Sequence, residues 1–195
     1  MQSEDGMMSA DVNTIHHLGI VANDIQALTA SYERLGFHLT PLFVPRIPLS
    51  PGGAPEPLGV GNRCAIFRDN YPEFLGVVDC ARWASIAPEQ RGPFDIDRAL
   101  HRYEGLHILH FGSDDLERAR DCFDRQRLGP SPIRPFQRPV DTADGVRTMR
   151  ARSISFPFGL MTEALVQVAQ HDTPELGLQP RYMDHPAARA ASRRL

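Results

Sequence analysis

The chain has 195 residues, 42% of them hydrophobic, which is enough to bury one ordinary domain or two small modules and argues against disorder throughout. Lys and Arg total 21 against 24 Asp and Glu, so the formal charge is -3 and no broad basic surface is available to neutralise nucleic-acid phosphates. No apolar run approaches the roughly 20 residues that cross a bilayer, and "MQSEDGMMSADVN" is acidic and polar where a signal peptide carries basic charge and an apolar stretch, so the expected location is the cytoplasm.

Residues 1–13 read as a disordered N-terminus. A first module follows over 14–80. In "TIHHLGIVAN", His16, Leu18, Ile20 and Ala22 alternate with His17, Gly19, Val21 and Asn23, the period of two expected of a strand with unlike faces. Asp24 stands at an N-cap position, Ile25, Leu28, Tyr32 and Leu35 follow at helical spacing, and Gly36 allows the left-handed backbone that ends a helix. Phe37–Val44 reads as a second strand, "PRIPLSPGGAPEPLGVG" as a long Pro- and Gly-rich loop, and "NRCAIFRD" and "EFLGVVD" as two more strands about an Asn-Tyr-Pro turn.

Residues 81–104 lack strand alternation and read as a linker of loop and short helix. The pattern then restarts over 105–175. "LHILHFGS" is a strand, Asp114 or Asp115 a cap, and Leu116, Ala119, Cys122 or Phe123, and Gln126 lie along a helix closed at Gly129. "SPIRPFQRPV", an Asp-Gly turn at 144–145, "RTMRARSISF" and "LMTEALVQVAQ" supply three strands, and 176–195 form a tail ending in the frayed helical "ARAASRRL". The expected fold is therefore α+β. Two modules, each a strand, a helix and three strands, would pair into a curled mixed sheet around a shared cleft, closing within one chain or between two copies as a homodimer. Cys64, Cys80 and Cys122 show no CxxC spacing and suit reduced thiols better than disulfides or a thiolate zinc site.

Strand alternation turns His17 away from a helix packed on Leu18 and Ile20. Glu73, opposite Phe74, turns the same way, so one imidazole and one carboxylate form half of a divalent-metal site. Arg63 enters that side if Cys64 and Ile66 face the helix, where it would hold the carboxylate or carbonyl of a ligand. There is no GxSxG, GxxxxGK[ST], HExxH or GxGxxG motif.

On "IHHLGIVANDIQALTASYERLGF", "GVGNRCAIFRDNYPEFLGVVD", "GLHILHFGSDDLERA" and "AQHDTPELGLQPRYMDHP", the chain resembles the vicinal oxygen chelate superfamily of glyoxalase I, bleomycin-resistance proteins and extradiol dioxygenases, in its glyoxalase-like domain branch, over about 15–186. The resemblance implies a metal ligand from the first and last strand of each module: His17 and Glu73, then His107, with Gln170 closing the set and Glu163 and His171 as rivals. Setting Asp24 against Asp114 pairs His17 with His107. Setting it against Asp115 pairs His16 with His107, leaves Ile108 opposite His17 and puts His110 on the face of Ile108, a one-residue slip that changes which side chains face the site. His110 is otherwise a substrate-side residue and His16 a packing one. The implied activity is that of a lyase, isomerase or dioxygenase using iron, zinc, nickel or manganese on a small oxygen-bearing molecule, with Glu73 doubling as base. The alternative is a metal-free binding protein of the bleomycin-resistance kind.

Overall fold

The computed structural model describes residues 11–91, 94–157, 159–161 and 164–185; the N-terminal decapeptide, Glu163 and the "ARAASRRL" tail lie outside them. The chain divides into two compact units, here the first (His17–Leu109 with the segment from Leu178) and the second (His110–Gly177 with the segment up to His16). Two strands, β1 (Val12–Val21) and β6 (Gly105–Ser113), are divided between them.

In the first unit Asp24 takes an extended conformation and its side chain accepts from the Ala27 N–H, capping α1 (Ile25–Arg34). Gly36, at φ 91°, ends it as expected. Leu28 and Tyr32 on its inner face pack with Ile20 on the buried Phe74. The strand expected at 37–44 is reduced to isolated bridges, Leu39 to Ala65 and Phe43 to Asn62, because Pro41 between them has no N–H to continue a ladder. The expected loop at 45–61 holds a short antiparallel hairpin, β2 (Arg46–Pro48) with β3 (Pro55–Pro57). Strands β4 (Val60–Cys64) and β5 (Tyr71–Val77) follow; β5 is antiparallel to β4 and parallel to β1, so the sheet is mixed.

Residues 80–102 form two short helices, α2 (Cys80–Ser85) and α3 (Ile96–Arg102), each capped by an aspartate, Asp79 and Asp95. They bring Trp83, Ile86 and Ile96 onto Val21 and Leu58, building a second core on the sheet face away from α1. The Trp83 Nε1–H donates to Asp97, and Arg91 lies 4.1 Å over the indole while its Nη1 reaches Asp97 at 2.7 Å.

The second unit repeats the scheme. Asp115, not Asp114, caps α4 (Leu116–Arg125) by accepting from the Arg118 N–H. The backbone turns left-handed already at Arg127 (φ 60°), two residues ahead of Gly129. Strands β7 (Arg134–Thr142), β8 (Gly145–Ser155) and β9 (Leu165–His171) form an antiparallel set, the first two joined at the expected Asp-Gly turn. Leu116, Ile154 and Val168 make its core under α4, and Leu176 of α5 (Pro174–Gly177) packs with Met149 and Val140 on the other side. Together these observations establish an α+β fold. Among the described residues no helix is long and apolar enough to cross a membrane.

Where β1 runs beside β6, Gly19 is tied to its size: a Cβ there would stand 2.6 Å from the Ile108 Cβ. Gly19→Ala is expected to destabilise the protein by about 1–3 kcal/mol through overpacking, read from the shift in its urea midpoint.

Candidate functional site

The side of the first unit's sheet away from α1 is set by register. Phe74 and Gly76 point to α1, so Glu73, Leu75 and Val77 point away from it, as does Val21 on β1. His17 follows Val21 at the strand period and is buried. Its Nε2 stands 3.9 Å from Glu73 Oε2, both side chains being largely shielded from solvent. The Tyr71 ring stacks on the imidazole, with centroids 4.8 Å apart and planes 6° from parallel. Asn62 Nδ2 donates to the other carboxylate oxygen, Oε1, at 2.5 Å. Thus Glu73 is held at one oxygen by a neutral amide and offers the other toward His17.

Arg63 is not part of this group. It pairs across the ladder with Phe74 and therefore faces α1, where Nη2 meets Glu33 Oε1 at 2.8 Å and Nε donates to the Thr40 carbonyl. The residues turned toward Glu73's side are Asn62 and Cys64, opposite Leu75 and Glu73. Expecting Cys64 and Ile66 to face the helix shifts the strand by one residue, which inverts every side chain on it. Arg63 and Glu33 instead line a cleft of about 770 Å³ with Gln26, Thr29, Leu42 and Val78, which neither His17 nor Glu73 touches.

The cap at Asp115 settles the alignment of the repeats: His16 corresponds to His107, and His17 to Ile108. His107 is buried, its ring stacked on Tyr103 at 4.1 Å and its Nε2–H donating to the Tyr103 carbonyl. Gln170 is likewise committed. It shares the face of Val168 toward α4, its Oε1 accepting the Leu116 N–H and its amide donating to the Asp114 carbonyl, so it closes the helix N-terminus. The position that corresponds to Glu73, one residue ahead of the side chain under the helix, is Gln167, which is buried.

His110 lies in the second unit with His16 and His171. His16 and His171 meet edge to face with centroids 4.4 Å apart. Burial, with the neighbouring His171, pushes the His16 pKa down to about 4. Burial, with the neighbouring His16, pushes His110 down to about 3. His171 is also lowered, by burial first and then by Arg138. The cluster is a set of neutral imidazoles at ordinary pH.

Sequence reasoning missed Asn62, Tyr71 and Gln167. Tyr71 follows from the strand period, two residues before Glu73 on the same face; Asn62 needs the β4–β5 register, which no single-strand pattern supplies.

An imidazole and a carboxylate on neighbouring strands suit a borderline divalent cation. Among the described residues no group of three or more His, Cys, Asp and Glu is placed to hold a metal ion, so the observed fit extends to two donors.

A family model described as the glyoxalase-like domain matches residues 15–193. No curated protein matches the chain. Among solved structures, a hypothetical protein from Staphylococcus aureus is similar at TM-score 0.62 and 12% identity, covering 88% of this chain, which spans only 65% of that one. Methylmalonyl-CoA epimerase of Streptomyces coelicolor, in complex with 2-nitronate-propionyl-CoA, is similar at TM-score 0.51 and 16% identity, covering 83% of this chain and 99% of its own. The Mycobacterium tuberculosis methylmalonyl-CoA epimerase follows at 0.51 and 13%, covering 87% and 95%. At these identities the structures speak for the fold, whereas the family match spans nearly all of the sequence. The chain belongs to the glyoxalase-like domain family.

Proposed function

We propose that this chain is an enzyme that moves a proton on a small oxygen-bearing molecule, with Glu73 as the base and His17 beside it. What supports this reading above all is the buried His17–Glu73 pair at 3.9 Å, with the second carboxylate oxygen fixed by Asn62. Glu73 Oε2 takes a proton from a carbon next to a substrate carbonyl, and the C–H electron pair passes into the carbonyl oxygen as an enolate; return of the proton to a neighbouring atom completes an isomerisation. Tyr71 fixes the plane of the His17 ring, which orients the substrate oxygen, while Asn62 keeps Glu73 from swinging away. His17 and Glu73 are also the residues that would hold iron, zinc, nickel or manganese. Such a cation would supply Lewis-acid polarisation of the substrate oxygens.

The test is metal analysis and titration of the purified protein. A dication should bind, His17→Ala should abolish binding, and Asn62→Ala should weaken it about 10–100-fold, as expected for a residue that supports a ligand. Metal binding unchanged in His17→Ala would overturn the assignment of His17 as a ligand.

A second reading, metal-free sequestration of a small molecule, is favoured by the commitment of His107 Nε2 and both Gln170 amide atoms to backbone groups. It is the correct one if metal-free protein binds a small molecule through the Asn62–Glu73 pair and added dications change nothing.

A further inference from the structure

The segment beginning at Leu178 belongs to the first unit, where His185 joins it to two other stretches of chain. His185 is buried, with its ring 5.5 Å from that of Phe37 and 5.0 Å from that of Phe67. Its two nitrogens reach different stretches of chain. The Ile66 carbonyl lies 2.9 Å from Nε2 and, being only an acceptor, requires that Nε2 carry the proton. Nδ1 is then the acceptor, and it receives the His38 backbone N–H at 3.0 Å. Upstream, the Tyr182 ring leans on the His38 ring, centroids 5.7 Å apart.

We infer that His185 is an acid-sensitive latch: in its neutral form it clamps the 178–185 strap to residues 37–38 and 66–67, and protonation releases the strap while the sheet stays folded. A second proton would sit on Nδ1, facing the His38 N–H. Two donors would then be directed at each other inside an aromatic slot, and the ring could keep only its bond to Ile66. The ionisable side chains flanking it in the three segments are His38, whose ring is turned to Tyr182, Arg68 beyond Phe67, and Asp184 next in the chain. Both ring nitrogens are already taken by backbone groups, so none of the three shares them.

Amide hydrogen exchange on the whole chain tests this. On stepwise acidification from neutral pH, after correction for intrinsic rates, the His38 amide and the strap amides should lose protection about tenfold or more relative to the amides of β5. Equal loss in the strap and in β5, or no loss in either, overturns the latch. In His185→Asn, whose amide cannot take up a proton in this range, strap protection should no longer depend on pH relative to β5; a persistent dependence assigns it to another group. Should that variant fail to fold, nitrogen shifts of the His185 ring in the native protein at neutral pH decide instead. They should report an unprotonated Nδ1 and a protonated Nε2, and the reverse tautomer sinks the proposal.

Discussion

Acidifying the protein from neutral pH to about 4 is expected to remove on the order of 5 kcal/mol of stability through His16 and His110. Folded, the two titrate at about 4 and about 3, against 6.5 for an unburied imidazole. Above 6.5 both are neutral in either state and their contribution to the pH dependence is nil. Below it the unfolded chain binds protons that the folded chain refuses, so stability falls with pH until the folded values are reached. Urea midpoints at a series of pH values check this. His110→Met, which fills the same space without titrating, should flatten the profile; a wild-type midpoint that stays level down to the folded pKa of His16 would show that the imidazole cluster is not buried as described.

Phe74→Ala is expected to be the most damaging single truncation in the first unit, by about 3–5 kcal/mol. The ring is fully buried, lies 4.2 Å from Tyr32 and joins β5 to Leu39 and Ala65. It is also the side chain whose inward direction forces Glu73 to the opposite face. Loss of packing there should loosen His17–Glu73 along with the core. Val146→Ala, at a position 69% exposed, serves as the control and should stay within about 0.5 kcal/mol in the same denaturation measurement.

Much of this architecture is legible in the sequence. Asp24 and Gly36 announce the bounds of α1, and the alternation in "IHHLGIV" places His17 away from the helix. The same argument applied to Phe74 places Glu73. Reading failed where a side chain's direction depends on a neighbouring strand. Arg63 is turned toward α1 by its pairing with Phe74, and nothing in "GNRC" alone distinguishes that register from one displaced by a residue. Gln170 sits beside the expected position, but an exposed helix N-terminus recruits its amide, a tertiary demand invisible in the strand pattern. For His107 two registers stay open in the sequence, because two consecutive aspartates can both cap; the cap at Asp115 pairs it with His16 and leaves Ile108 opposite His17. Proline misleads in both directions: Pro41 breaks the strand expected at 37–44, while residues 45–57 fold into a hairpin despite their prolines.

The hydrogen bond from Asn62 makes the two oxygens of Glu73 unequal. With Oε1 engaged by Asn62, Oε2 is the oxygen turned toward His17, so the two oxygens would have different tasks in the proposed proton transfer. A proton arriving from carbon would land at that same oxygen, on the side of His17. The amide thus fixes which of the two carboxylate oxygens is turned to the His17 imidazole.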